Sequence, residues 1–283
     1  MTIRAGFVGL GNIGKPMARR IVDAGVPLTV FDMMPAAVVE LAAAGARAAT
    51  SAREVAEAAD VVGICVRDDD EVRAVVLGPD GVLAGAAPGV IVAIHSTILP
   101  RTVRELGEYA ARRGVAVVDA CITGGAGGAA QGKLTYMVGG NAEDVERCRP
   151  VFATSAERVV HTGPLGSGVS VKLCNNLMTY LGFLAAFEAT LLARRSGLSE
   201  KAFEEVTRAN GNLTDQMLAF LSLHRLPPES RKDPGFRQML QSFTRLAEKD
   251  LAVTLEFARE NGVDLPGTAR CRELMARVYG LQE

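Results

Sequence analysis

The hydrophobic rhythm of the chain changes a little past its midpoint. Up to about residue 162, short apolar runs alternate with stretches whose apolar positions recur every three or four residues. The runs at 3–8, Pro27–Phe31, Asp60–Cys65, Gly89–Ile94, Val115–Asp119, Leu134–Val138 and Val159–Thr162 predict strands. The stretches at Lys15–Ala24, Glu54–Ala59, Asp69–Leu77, Pro100–Arg113 and Glu143–Phe152 predict helices between them. Strand–helix repetition of this kind predicts an α/β fold built on a doubly wound parallel sheet. Beyond it only the helical period remains: Val169–Ser196, Glu200–Ala209, Asp215–Leu223, Gln241–Asn261 and Thr268–Tyr279, with turn signals at 226–228, 232–235 and 261–262. The expected organisation is a Rossmann-type domain over 1–162 and an all-α domain over 163–283. The helix from Val169 is apolar all round and spans roughly 40 Å, so it is expected to join the two domains or to pack against a second subunit.

Composition narrows the partners. A chain of 283 residues with 48% hydrophobic residues can bury a sizeable core, as one large or two medium domains. A net charge of −1 offers no footprint for nucleic acid or an anionic membrane, which leaves small molecules as the favoured partners. The five cysteines, Cys65, Cys121, Cys148, Cys174 and Cys271, show no metal-binding spacing, so no metal is expected and the thiols read as reduced in a cytoplasmic protein. The first residues enter a strand pattern without a signal peptide's features. The apolar stretch 173–192 is interrupted by Asn175, Asn176 and Glu188, and reads as a buried helix rather than a membrane span.

Chemistry enters with Gly9-Leu10-Gly11-Asn12-Ile13-Gly14, between the first strand and the first helix. In that context the first glycine permits a tight turn, the second lets backbone approach a pyrophosphate, and the third allows close helix–strand packing. The following strand ends in Asp32, 23 residues after Gly9, where a carboxylate can accept from both hydroxyls of a ribose and repel a 2′-phosphate. No arginine follows Asp32, so NAD is expected in preference to NADP. A methyltransferase using S-adenosylmethionine has a similar loop and acid, but the glycine spacing and a later lysine weigh against it. Val66 and Arg67 after one strand, and His95, Ser96 and Thr97 after another, follow carboxyl ends of strands where ligands bind in such sheets. For His95 a structural role is the favoured reading over catalysis.

Two further segments complete the candidate site. Thr123, Gly124 and Gly125 open a glycine-rich stretch read as a loop whose bare N–H groups form a carboxylate cradle. The run from Gly163 to Asn176 carries Lys172 and Asn176 four apart, which on a helix brings an amine and an amide to one face. Apolar neighbours at Val171 and Leu173 are expected to draw the lysine pKa below its usual value of about 10.4 and suit it to acid–base work. Taken alone, Lys172 reads sooner as a snorkelling residue at a helix end and Asn176 as a satisfied polar core residue, and Lys249, which Asp250 could orient, sooner as a surface ion-pair residue.

Together these segments resemble the β-hydroxyacid dehydrogenase family, which includes 3-hydroxyisobutyrate dehydrogenases and tartronate semialdehyde (glyoxylate-type) reductases. Four landmarks stand in family order over nearly the whole chain: the loop at 9–14; Thr123-Gly-Gly with 132–140; the lysine segment 163–176; and Lys249-Asp250-Leu251. The resemblance implies that Lys172 is the catalytic lysine and that Thr123, Gly124, Gly125 and Asn176 hold the substrate carboxylate and hydroxyl. It also implies that Lys249 lies near nicotinamide and substrate, that Val66, Arg67 and Thr97 line the cofactor with Gly9, Gly11, Asn12, Ile13, Gly14 and Asp32, and that dimers or tetramers form through the helical domain. Departures are Thr123 where the family usually has Ser, Cys121 where it has Pro, and Ile94 where an Asp is common. Related 6-phosphogluconate dehydrogenases carry a glutamate seven residues beyond the lysine. Thr179 stands there, so decarboxylation is not expected, and the intact Lys172 separates the chain from the homologous imine reductases.

The expectation is therefore an NAD-dependent oxidoreductase of a small β-hydroxyacid, 3-hydroxyisobutyrate dehydrogenase-like. The alternatives are a tartronate semialdehyde or glyoxylate-type reductase of the same family and, from a different class, a non-catalytic NAD-binding protein.

Overall fold

The computed structural model describes residues 3–282, and the chain divides into two compact units after Lys172. The first holds β1 (Ala5–Val8), α1 (Gly14–Asp23), β2 (Leu28–Phe31), α2 (Pro35–Ala43), β3 (Arg47–Ala48), α3 (Ala52–Glu57), β4 (Val61–Ile64), α4 (Asp69–Leu77), α5 (Val82–Gly85), β5 (Ile91–Ile94), α6 (Pro100–Ala111), β6 (Ala116–Thr123), α7 (Gly125–Gln131), β7 (Leu134–Gly139), α8 (Ala142–Phe152) and β8 (Ala156–Gly163). It also holds the opening of α9 (Ser167–Arg195). The remainder of α9, with α10 (Glu200–Ala209), α11 (Asp215–Ser222), a 3₁₀ turn (Pro228–Lys232), α12 (Pro234–Glu260) and α13 (Pro266–Val278), forms a helical unit.

The strands make one sheet of order β3-β2-β1-β4-β5-β6-β7-β8. β1, β4 and β5 are buried at every position, as strands covered on both faces must be. Alternation along them feeds two cores: Val61, Ile91, Ala93, Val118 and Ala120 pack on one face with Phe7, Met17 and Phe152, while Val62, Ile64, Val92, Ile94 and Val117 pack on the other with Val55, Val72 and Leu106. Each of the valines, isoleucines, leucines, methionines and phenylalanines among them contributes about 1.5–3 kcal/mol by leaving water.

The sheet is parallel from β3 through β6, as the strand–helix alternation predicts, but β7 runs antiparallel to β6 and β8 parallel to β7. The connection between β6 and β7 is shorter than a full crossover and carries one small helix, so the chain turns back rather than crossing over. That helix, α7, replaces the expected glycine-rich loop. Gly128 and Ala129 settle it against Leu134, and Gly132 (φ 69°) stops it in the left-handed region. The helices α2 and α5 are additions to the elements that the hydrophobic pattern predicts.

In the helical unit the signal at 232–235 starts a helix. Asp233 accepts from Phe236 N at 2.7 Å and Pro234 takes the first helical position, so α12 begins seven residues before Gln241. The core of this unit gathers Tyr180, Phe183, Phe220, Ala247, Leu251, Cys271 and Met275. α9 has the length and composition of a membrane-crossing helix, yet Tyr180, Phe183 and Ala186 pack into this core while Met178 and Leu192 remain 73% and 68% exposed. The expectation of a buried helix is met only in part within a single chain.

Candidate active site

The carboxyl ends of four adjacent parallel strands deliver most of the sequence-predicted cofactor residues to one edge of the sheet. Val8 pairs with Phe31 and with Ile64, and Ile64 pairs with Ile94. The segments carrying Gly9–Gly14, Asp32, Val66–Arg67 and Thr97 therefore emerge side by side.

The three glycines of the loop do three different things. Gly9 has φ 93°, and a Cβ on it would strike the Cys65 carbonyl. A Cβ on Gly14 would strike the Gly9 carbonyl, whereas one on Gly11 would meet no atom within 4 Å. The turn and the packing contact thus exclude side chains, and the middle glycine opens onto free space. α1 begins there with no side-chain cap at Ile13 and no acid in its first turn, so no side chain of its first turn offsets the positive end of its dipole. This is a cradle that fits a dinucleotide pyrophosphate. Asn12 is exposed at its rim.

Asp32 joins this cradle at its base. One carboxylate oxygen accepts from Leu10 N at 2.5 Å and the other from Met34 N at 2.7 Å. Each oxygen keeps a further lone pair for a hydroxyl donor, so a ribose fits without breaking either bond. Val66 is fixed by its N–H donating to Ser96 Oγ at 2.9 Å. Arg67 is exposed and paired with Glu71. That contact draws the Glu71 carboxyl below its usual range, the Arg67 hydrogen bond being the larger influence.

His95 has a structural role. It is buried, stacked on Phe7 with ring centroids 5.7 Å apart, edge-on to Tyr136 and Phe152, and its Nδ1 lies 2.7 Å from Ala120 O. Burial pushes its pKa down to about 4, so the ring is neutral at physiological pH and, donating to that carbonyl, pins β5 to β6. The adjacent Cys121, also buried, places Sγ 3.5 Å from Ser96 O.

β6 ends in Thr123, half-buried, and the exposed Gly124 and Gly125 follow with φ 121° and 64°. A Cβ on Gly125 would meet nothing within 4 Å, so the backbone is open to an approaching group. Lys172, half-buried, and Asn176, buried, lie about one turn apart on α9.

In the helical unit a buried carboxylate organises the remaining candidates. Asp250 Oδ2 accepts from Asn176 Nδ2 at 2.7 Å and from the Tyr180 hydroxyl at 3.2 Å, while Oδ1 lies 2.8 Å from Lys249 Nζ. Burial drives the Tyr180 hydroxyl far above its usual pKa, and the Asp250 charge adds to this, so it stays a donor. Lys249 is thus paired as the sequence allows, but with an aspartate 3% exposed rather than on the surface. Tyr180 carries no sequence signal for this role, since nothing in the chain links it to a residue 70 positions away. Among the described residues no group of three or more His, Cys, Asp or Glu side chains is arranged to hold a metal ion.

Residues 4–163 match the family described as the NAD binding domain of 6-phosphogluconate dehydrogenase, and residues 166–282 match that described as NAD-binding of NADP-dependent 3-hydroxyisobutyrate dehydrogenase. The chain is 38% identical over 263 residues to an NAD-dependent L-serine dehydrogenase of Pseudomonas aeruginosa, covering 92% of this chain and 87% of that protein. It is 34% identical over 270 residues to a 3-hydroxyisobutyrate dehydrogenase of the same organism, covering 95% and 90%. Among solved structures, a Mycobacterium tuberculosis 3-hydroxyisobutyrate dehydrogenase with L-serine superposes with a TM-score of 0.83 at 30% identity, covering 98% of this chain and 94% of that one.

Proposed function

The chain belongs to the β-hydroxyacid dehydrogenase family and is a nicotinamide-dependent dehydrogenase of small hydroxyacids; from that premise we propose that it oxidises 2-substituted 3-hydroxypropionates with NAD, using Lys172 as the acid–base group. The observation that carries this reading is the spacing of Lys172 and Asn176 on α9, an amine and an amide within one turn of each other. 3-Hydroxyisobutyrate and L-serine, named for the relatives, share a carboxylate, a substituted α-carbon and a primary alcohol. In this reading the Thr123 hydroxyl and the Gly124 and Gly125 amides hold the carboxylate, while Asn176 and Lys172 meet the alcohol.

When bound, the nicotinamide supplies the acceptor for the hydride that leaves the carbinol carbon. Lys172 takes the hydroxyl proton as the carbonyl forms, and returns it in the reverse direction. The neutral amine is the base, so oxidation accelerates as pH rises. Lys249, paired with Asp250, would meet the nicotinamide and substrate when they are bound. Asp32 directs the preference for NAD, because a carboxylate already ringed by two N–H donors welcomes hydroxyls and repels a phosphate. The exposed apolar residues Met178, Leu192, Leu198 and Val206 favour association through the helical unit.

The test is NAD reduction at alkaline pH over 3-hydroxyisobutyrate, L-serine, glycerate, threonate and 3-hydroxypropionate, repeated with NADP. Turnover of at least one substituted acid, with NAD preferred at least tenfold, is expected. NADH binding without turnover of any of them would sink the substrate reading, and equal use of NADP would sink the role given to Asp32.

A further inference from the structure

One buried ionisable group of the sheet unit has no part in the hydride and proton transfers. Asp119 is fully buried in β6, four residues before Thr123 on the same strand and on the same face. Its Oδ1 accepts from Gly166 N at 2.8 Å and its Oδ2 from Val169 N at 2.7 Å, both at the opening of α9. Those two amides bracket the first turn of the helix, and Lys172 follows Val169 by three residues, about 4.5 Å along the axis.

The surroundings are built for this contact. A Cβ on Gly168 would lie 2.7 Å from Asp119 O and 2.8 Å from Gly139 N, and one on Gly139 would run into the Asp119 carboxylate itself. Bare backbone at both positions lets the helix start sit directly on β6 and β7. Burial pushes the Asp119 carboxyl above the usual range, while the amides of Gly166, Val169, Asp119 and Gly168 pull it back. A surface cap would give the helix start comparable hydrogen bonds without that desolvation. What a surface cap cannot do is fix the helix in register with a particular strand.

We propose that Asp119 is a positioning residue: by tying the first turn of α9 to β6, it fixes the reach of Lys172 relative to the carboxylate cradle at Thr123. The inference rests on the acid–base reading of Lys172. The lysine and the cradle grip opposite ends of a three-carbon acid, so their separation sets whether the alcohol meets the amine. A misplacement of about 1 Å is enough to lower turnover about a hundredfold.

The experiment is a double-mutant cycle between Asp119→Asn and Lys172→Ala, with active sites counted by NADH binding. The amide keeps the shape of the carboxylate but opposes its NH₂ to one of the two N–H donors. Asp119→Asn is expected to lower kcat at least tenfold while the NADH Kd changes less than twofold. In the Lys172→Ala background the same substitution is expected to cost nothing further, because it acts only through the lysine. A fall in kcat per site by the same factor in both backgrounds would show that Asp119 acts independently of the lysine, and that result overturns the proposal. Wild-type kcat per active site in Asp119→Asn overturns it as well. Gly168→Ala supplies a second test that leaves the carboxylate in place: it lifts the helix start off the strand, and is expected to show the same loss and the same silence without Lys172. If Lys172→Ala itself turns over normally, the acid–base reading fails; if Lys172→Ala is crippled and Asp119→Asn is not, only the positioning role fails.

Discussion

The sheet unit builds its candidate cofactor edge with backbone, and the helical unit builds its buried polar cluster with side chains. In the first, the cradle is the open edge of Gly11 and the bare start of α1, and the groups that hold it in place are carbonyls and amides approached too closely for any Cβ. In the second, Asn176, Tyr180 and Lys249 converge on Asp250, and identity matters more than the space around the main chain. The first arrangement breaks when an atom is added, the second when one is removed.

The sharpest break of this contrast is a pair of alanines in one loop. Gly14→Ala sets a methyl against the Gly9 carbonyl, so the junction of β1 and α1 must open. It is expected to cost more than about 4 kcal/mol, read as loss of folded protein or a fall in Tm well beyond about 10 °C. Gly11→Ala sets its methyl in open space, and should leave Tm within a few degrees while weakening NADH binding at least tenfold. Equal stability of the two variants would contradict the division of labour among the glycines.

Removal is the corresponding injury in the helical unit. Asp250→Ala strips the shared acceptor from Asn176 and Tyr180 and the counter-charge from Lys249, and is expected to cost about 3 kcal/mol in urea unfolding. A loss under about 1 kcal/mol would mean that the carboxylate is no more than an exposed ion-pair partner.

A titration separates the units next. His95 has a folded pKa of about 4 against an ordinary 6.5, so the unfolded chain binds more protons between those values and stability falls as pH drops through that window. From pH 7 to pH 5 the loss attributable to His95 is about 2 kcal/mol by linkage. Carboxylates titrate in the same range, so the measurement is the difference between wild type and His95→Gln. The acid-induced loss should shrink by that amount in the variant, and identical slopes would mean the ring is accessible to protons in the folded state.

The smallest expected effects are the same in both units. Asp68 caps α4 at Glu71 N and Thr214 caps α11 at Met217 N, with distances of 3.0 and 3.2 Å. Each alanine substitution should cost about 1 kcal/mol. A clear inequality between them would show that one cap carries more than its helix end.

The contrast also explains what the sequence discloses. Backbone sites are written in glycine, and Gly9, Gly11 and Gly14 are legible because their spacing names both the turn and the ligand. Asp32 is legible because it ends a strand at a fixed distance from that loop. Asp119 also ends a predicted apolar run, but nothing in the sequence names Gly166 and Val169 as the amides it accepts from. The Asp250 cluster is closed to this reading, since helix packing alone joins Asn176 and Tyr180 to a residue 70 or more positions on. α7 shows the opposite limit. Three glycines among its first four residues argue for a loop, with each glycine about 1 kcal/mol worse than alanine in a helix, and packing on Leu134 outweighs them. At Asp233-Pro234 the residues that signal a turn also cap a helix, and the run from Gly235 onward, free of further breakers, settles the choice for helix.

The most direct test of the account is the turnover of Lys172→Ala with the acid that the wild-type enzyme oxidises best, measured beside its NADH affinity. General acid–base catalysis predicts a kcat lower by about 10²- to 10⁴-fold and loss of the alkaline rise in rate, with NADH bound as before. An unchanged kcat with an unchanged pH profile would remove Lys172 from the mechanism and leave the helix start to serve the fold alone.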